Sequence, residues 1–452
     1  MKSLVTALIL MSAFFVTSCK KFLDAKTDKK LVVPSTIQDA QAILDNYSTL
    51  NTYYYPLGAQ SDDDYFLSDT YYNSTDENSR NYYVWYKDAV INNAWNYMYQ
   101  VIVNANVALE TLAKIQPQQS TVNDWKQAKG AALFFRAYAH YQVAQYYASP
   151  YDKNIASEKL GIPLRLTSDI NEPTVRSSLE ETWQQIISDY KEAASLLPVT
   201  SSPVSRPSRS AAYAALARTY LDMDDFVSAG KYADSSLQLY NTLLDYNSLN
   251  PAASAPFSRF NTEVLFNTVM LGPGALLINN ARIDSLLYTS YDLNDLRRSL
   301  FFQSNGPGTY GFKGNYDGTS NNAANFNGLA VDEMYLVRAE CNARMGNVAS
   351  AMDDLNTLLI KRWKSGTFVP YTALDAEDAL NKILQERRKE LLFRGIRWFD
   401  LRRLNKDPRF AKTLIRKVNG QLFELPPNDK RYTFFIPESV IALTGIQQNE
   451  RY

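Results

Sequence analysis

The stretch ALARTYLDMDDFVSAGKYADSSL, residues 215–237, aligns with VRAECNARMGNVASAMDDLNTLL, residues 337–359, at an offset of 122. Ala217 meets Ala339, Met223 meets Met345, Ala229 meets Ala351 and Leu237 meets Leu359. Each copy reads as a helix, a tight turn and a second helix, with small residues where the two helices must approach.

That is the mechanics of a TPR-like unit, although two antiparallel helices of another kind can give a similar pattern. Outward from it, helical periodicity continues. Residues 89–115 place Trp95, Met98, Ile102, Ala105 and Leu109 on one stripe. Residues 125–146 repeat the pattern between Pro117 and Pro150. Residues 178–197 open with a capping box, Ser178 with Glu181. Helices are predicted near 37–50, 210–223, 225–240, 331–345 and 348–363, with a long one at 376–395. Residues 51–86 show no steady period and read as loop with short turns. Residues 241–330 lose the helical period and carry short strand-like pieces and a Gly/Asn-rich tract. The expected fold is mainly α. TPR-like helix pairs, at about 89–240 and 331–403, form a superhelical scaffold with little β. Irregular ligand-facing segments fill about 51–88 and 241–330.

Composition narrows the chemistry. Hydrophobic residues make up 46% of the 452 residues and charged residues 21%, a globular balance. Lys+Arg and Asp+Glu are 47 each, so no basic footprint for nucleic acid exists. One histidine, His140, and two cysteines, Cys19 and Cys341, cannot build a His-based triad, a Cys/His zinc site or a disulfide framework within one chain. Cys341 lies in a helical stripe and reads as a buried small hydrophobe. No metal or cofactor is expected.

At the N-terminus, Lys2 precedes an uncharged, largely apolar run, 4–16, then Val16, Thr17, Ser18 and Cys19. The run is shorter than the ~20 residues that span a bilayer and suits a secretory signal. Ending on cysteine, it has the form of a bacterial lipobox; an ordinary signal peptide with an incidental cysteine is the other reading. Residues 1–18 are then the lipoprotein signal peptide. Cys19 is the lipidated first residue of a mature chain, 19–452, held to the membrane by its acyl chains.

The stretch AEDALNKILQERRKELLFRGIRWFDLRR, 376–403, interleaves Arg and carboxylates with Leu, Phe and Trp. It reads as a partly buried Arg–carboxylate network, because the planar guanidinium fork pairs bidentately; an anion site is the alternative. With the CKKFLD that follows the apolar run, the EMYLVRAECNARMGNVASAMDDLN pair and the terminal FFIPESVIALTGIQQNERY, it makes the chain resemble the SusD/RagB family of outer-membrane nutrient-binding lipoproteins. The resemblance implies four TPR-like helix pairs, a glycan or oligosaccharide ligand, sometimes a peptide, and a SusC-like TonB-dependent barrel as partner. It implies an outer-membrane, lipid-anchored protein at the cell surface. Surface exposure rests on that resemblance alone, since Lys20, Lys21, Phe22 and Leu23 follow Cys19 where an acidic run would favour export to the surface.

Sugars present apolar C–H faces and a belt of hydroxyls, so they suit flat rings edged by polar groups. Two aromatic-rich irregular segments fit. In 62–86 the candidates are Asp64, Tyr65, Tyr71 and Trp85. In 288–316 they are Tyr288, Tyr291, Asn294, Phe312 and Tyr316. Tyrosine also fills half-buried core positions, so each ring has a packing reading beside the ligand reading. Asp62-Asp63-Asp64 lacks EF-hand spacing and reads as solvated surface acid rather than a calcium site. The expected function is ligand capture without catalysis. A periplasm-facing TPR scaffold and a glycoside hydrolase remain as alternatives.

Overall fold

The computed structural model describes residues 33–272 and 274–451. The signal peptide, Cys19 and most of the tether after it lie outside the described residues.

Helix starts follow side-chain caps. Ser178 Oγ accepts the Glu181 N–H while the Glu181 carboxylate accepts the Ser178 N–H, the box expected from sequence. Thr36 and Asp39 form a second such box. The large helices are α1 Ile37–Leu44, α2 Asn92–Ala113, α3 Val122–Tyr147, α4 Leu179–Leu196, α5 Arg209–Asp222, α6 Phe226–Leu239, α7 Val331–Arg344, α8 Val348–Leu359, α9 Ala376–Glu390 and α10 Arg397–Leu404. From α1 to α8 each packs on its successor, and α9 packs on α7 and α8. The pairs α5–α6 and α7–α8 are the repeat found in the sequence. Between them α6 lies close on α7: a Cβ added at Gly230 would stand 3.1 Å from Cys341 Cβ. Cys341 is buried there, as expected. Among the described residues the strands form two-stranded antiparallel sheets, and the fold is mainly α.

Three expectations need correction. The helix from 376 stops at Glu390 rather than 395, because Phe393 (φ 58°) and Gly395 (φ 74°) turn left-handed before α10. A side chain at 395 would also strike Met270 Sδ at 2.8 Å. Residues 51–86 are more regular than a loop: Leu57–Ser61, Asp69–Ser74 and Glu77–Tyr83 are helical, the last two capped by Ser68 and Asp76. The acidic triplet is not solvated. Asp62 and Asp64 are each 1% exposed. Arg397 grips Asp63 at 2.7 and 3.0 Å, Lys412 meets Asp63 at 2.7 Å and Arg388 meets Asp64 at 2.9 Å. Arg388 and Arg397, both largely buried, need counter-ions, and Asp64 and Asp63 supply them.

The 376–403 stretch is the ionic core. Arg297 bonds Asp295, Glu386 (2.5 Å) and Glu390 (2.9 Å). Arg362 bonds Glu390 and Glu263, each at 2.7 Å. Arg394 bonds Asp332 at 2.7 Å, and Lys389 bonds Glu386 at 2.7 Å. Beside them Arg403 joins Glu340 and Asp400, Arg387 joins Asp400, and Arg218 joins Glu333. The network is therefore more buried than the sequence suggested. Burial pushes Glu390 upward, yet Arg362 and Arg297 hold it down to about 2. Glu263 goes the other way: burial, only partly opposed by Arg362, raises it to about 7. His140 is buried with neither ring nitrogen hydrogen-bonded, and burial pushes it down to about 3, so it stays neutral.

Arg362→Ala is expected to lower unfolding free energy by about 3–5 kcal/mol in urea titrations, because it strands two buried carboxylates. Lys361→Ala, which removes an exposed ion pair with Asp245, should cost about 0–1 kcal/mol. Equal losses would contradict the ionic core. The pH profile gives a second check. Folded Glu263 keeps its proton from 4.5 to about 7, where the unfolded chain has released it. Its contribution to stability therefore falls as pH rises through that window. Glu263→Gln, which cannot titrate, should gain on the natural chain as pH rises; parallel profiles would refute this.

Candidate functional site

Backbone pairing brings the two irregular segments together. Strand Tyr65–Phe66 pairs antiparallel with Arg282–Ile283. Asn51 Nδ2 donates to Asn267 O at 2.8 Å, the Val269 N–H donates to Asn51 O at 2.8 Å, and Tyr53 bridges to Met270. The chain at 51–55 is thereby laid along 267–271.

Most expected ligand residues turn out to be structural. Asp64 is held by Arg388. Tyr65 donates to Gln60 O at 2.9 Å, and Trp85 Nε1 donates to Ser61 O at 2.8 Å. Both rings lie near the Arg416 guanidinium, at 5.1 and 5.0 Å. Tyr291 donates to Lys389 O at 2.8 Å and receives Arg297 against its ring at 5.5 Å. Phe312 packs edge-on against Phe393. Tyr316 donates to Glu263 at 2.8 Å within the ionic core. All six are buried, which corrects the expectation that they face a ligand. The physical reason is that the Arg-rich core needs rings to cover guanidinium faces and hydroxyls to satisfy carboxylates. Trp95 is core, as expected.

Tyr71 and Tyr288 are half-buried and Asn294 is exposed. Tyr71 reaches across to the second segment: a Cβ at Gly274 would lie 2.8 Å from its hydroxyl. Burial raises its pKa, opposed by side-chain hydrogen bonds with Thr75 and Asn280. Tyr288 stacks on Tyr310 with centroids 3.7 Å apart and planes at 12°, and Arg298 lies 4.9 Å from the Tyr288 ring.

The sequence reading missed a further pair. Tyr53 and Tyr97 stack with centroids 4.7 Å apart and planes at 27°, and both are half-buried. Leu271, on the strand that Tyr53 bridges, is 45% exposed. The Tyr55 hydroxyl is pushed up first by burial, then by Asp76 and Tyr97, which puts those three in one neighbourhood. Asp76 also acts on Tyr71. Tyr53 and Tyr97 are thus stacked and partly open, with Tyr55, Asp76 and Tyr71 near enough to act on one another's charge. Tyr97 carried a signal: it falls off the Trp95–Met98–Ile102 stripe, so a buried stripe leaves its ring elsewhere. Among the described residues no cluster of His, Cys, Asp or Glu could hold a metal ion, and no helix is long and apolar enough to cross a membrane.

No curated protein matches the chain. Its fold is similar to that of a SusD superfamily protein from Bacteroides thetaiotaomicron, at TM-score 0.76 and 23% identity over 92% of this chain and 100% of that one. It is similar to a SusD-like carbohydrate binding protein from Bacteroides vulgatus, at 0.70 and 20% over 91% and 97%. It is also similar to surface glycan-binding protein A from Bacteroides fluxus, at 0.70 and 17% over 93% and 100%. Residues 21–221 match the SusD-like family described as starch-binding associating with outer membrane, and residues 295–445 match the SusD family. With both ends of the chain matched and the fold shared along its length, the chain belongs to the SusD/RagB family.

Proposed function

We propose that the protein captures glycans on the surface formed by Tyr53, Tyr55, Tyr71 and Tyr97, and passes them on without altering them. One observation carries the reading: the Tyr53–Tyr97 stack is left half-open beside an exposed leucine, while Tyr65, Trp85, Tyr291 and Tyr316 are sealed inside. Flat faces accept the C–H side of a sugar ring, and Asp76 and Asn280 offer hydrogen bonds to its hydroxyls. The Tyr288–Tyr310 stack, with exposed Asn294, provides a second ring platform on the other irregular segment, 241–330. The recipient is a SusC-like TonB-dependent barrel in the outer membrane. Lipid on Cys19 holds the protein at the cell surface beside that barrel.

A glycan array with the chain from residue 20 onward identifies the ligand, and affinity electrophoresis in starch gels gives a first probe. Tyr53→Ala and Tyr97→Ala are expected to weaken glycan binding by about three- to tenfold each, at the ~0.5–1.5 kcal/mol of a ring contact, with little change in Tm. Retention of no glycan by the unaltered protein, or unchanged retention in both variants, would refute the reading. Release of products from polysaccharide would make it a hydrolase.

Cys19→Ala should move the protein from the membrane fraction to the soluble one and leave its Tm as it was. Continued sedimentation with membranes would remove the anchor from the account. Protection from added protease on intact cells would place the protein on the periplasmic side instead.

A further inference from the structure

A cleft of about 640 Å³ lies between the segment after α3, the end of α10 and the last residues of the chain, a volume in the range of small-ligand sites. None of the rings of the proposed glycan surface lines it. Its walls include Leu160, Arg176, Arg402, Lys159, Thr433 and Gln447.

What distinguishes it is buried positive charge without an ion pair at the wall of a cleft: Arg416 is likewise buried and unpaired, but it lies sealed under Tyr65, Tyr83 and Trp85, whereas Arg402 and Arg176 line open space. Arg402 is only 3% exposed. Its Nη1 donates to Gln145 O and, at 3.2 Å, to Gln145 Oε1, its Nη2 donates to Ala148 O, and its Nε has no hydrogen-bond partner. Arg176 donates to Gly161 O at 2.8 Å, and to Gln447 O and Asn449 Oδ1 at 2.9 Å each. Neither has a carboxylate at ion-pair distance among the described residues, nor does Lys159. By contrast, Arg218, Arg297, Arg362, Arg387, Arg394 and Arg403 are each paired with buried carboxylates. The cleft's own acids do not fill the gap. Asp429 is taken by Arg431 at 2.8 Å and Glu450 by Lys430 at 3.1 Å, while Asp152 keeps its charge but is at ion-pair distance from neither arginine. Glu158 stands exposed at the rim. Asp222 acts on Arg402 only from beyond ion-pair distance; a buried guanidinium without an ion pair is costly, and a ligand carboxylate would supply one. Thr433 and Gln447 offer hydroxyl and amide partners suited to a polyhydroxylated molecule.

We propose that this cleft is a second binding site, taking a carboxylated monosaccharide of the hexuronate type. The site does not depend on the ring surface. The test is titration of the chain from residue 20 onward with D-glucuronate, with D-glucose as neutral counterpart and alanyl-alanine as a carboxylate without a sugar, followed by calorimetry. Glucuronate should bind saturably in the millimolar range or tighter, and both controls should bind at least about tenfold more weakly. Arg176→Gln should weaken glucuronate about tenfold. Leu160→Glu should weaken it similarly, because it adds a like charge at an exposed position and removes no hydrogen bond of either arginine. Should Arg176→Gln lower Tm, Leu160→Glu decides alone. Tyr97→Ala should leave glucuronate affinity unchanged, so that failure of the glycan surface and failure of this site are told apart. Equal binding of glucose or alanyl-alanine, no saturable glucuronate binding, or full affinity in Leu160→Glu would each overturn the proposal.

Discussion

Charge neutralisation around α9 is the constraint on which the rest of the structure depends. Arg297, Arg362 and Arg394 are all at least nine-tenths buried, and burying a cation without a counter-ion is costly. Each is paired with carboxylates, one of them local, Asp295 beside Arg297, and the others from elsewhere in the chain: Glu263, Asp332, Glu386 and Glu390. Lys389 is the fourth cation among these five acids, so acid is in slight excess. Glu263 is the acid raised to about 7 by burial, and at neutral pH it can hold the balancing proton, with the Tyr316 hydroxyl pointing at it. Apolar side chains of equal volume could stabilise a core as well or better. What the ions add is register: helix α9 fits only where Arg297 and Arg362 meet its Glu386 and Glu390.

The same rule fixes the irregular segments. Nothing in the helical repeat dictates where 51–88 lies, and its short helices could not hold it there unaided. Asp63 and Asp64 tie it to Arg397 and Arg388. Arg416 then fills the space under Tyr65, Tyr83 and Trp85, donating to Asp62 O at 2.6 Å. Rings there act as covers for guanidinium groups. Once those positions are occupied, the rings at 53, 55, 71 and 97 are what remains at the edge.

This explains how much was legible in the sequence. Helices read well because a packed helix must repeat its apolar residues at helical spacing, and the offset of 122 between repeats is the offset between the first residues of α5 and α7 and of α6 and α8. The Arg–carboxylate mixture of 376–403 read as a network because Trp398 and Phe399 leave no room for a solvated charged face. The site read poorly because tyrosine does two jobs with one side chain. Tyr65 and Tyr71 stand six residues apart in equally polar surroundings, yet one is sealed and the other half-open. The choice is made by Arg416 and Phe393, more than 300 positions away, and no local pattern contains them. Asp62-Asp63-Asp64 looked like surface acid for the same reason: its partners lie near the other end of the chain.

The division of labour has a consequence for how such a surface can change. Tyr53 and Tyr97 make contact with each other across two elements, one laid along 267–271 by backbone hydrogen bonds and the other part of α2. Backbone bonds do not depend on side-chain identity, so the ring positions persist when the rings are replaced. Neither ring takes part in the ionic network, whereas Tyr291 and Tyr316 do, through Lys389 O and Glu263. Substitution at the second pair disturbs buried charge, and substitution at the first alters only what the surface presents. A scaffold arranged this way can keep its fold while its exposed rings are exchanged, which is what the proposed glycan surface would need in order to change its ligand.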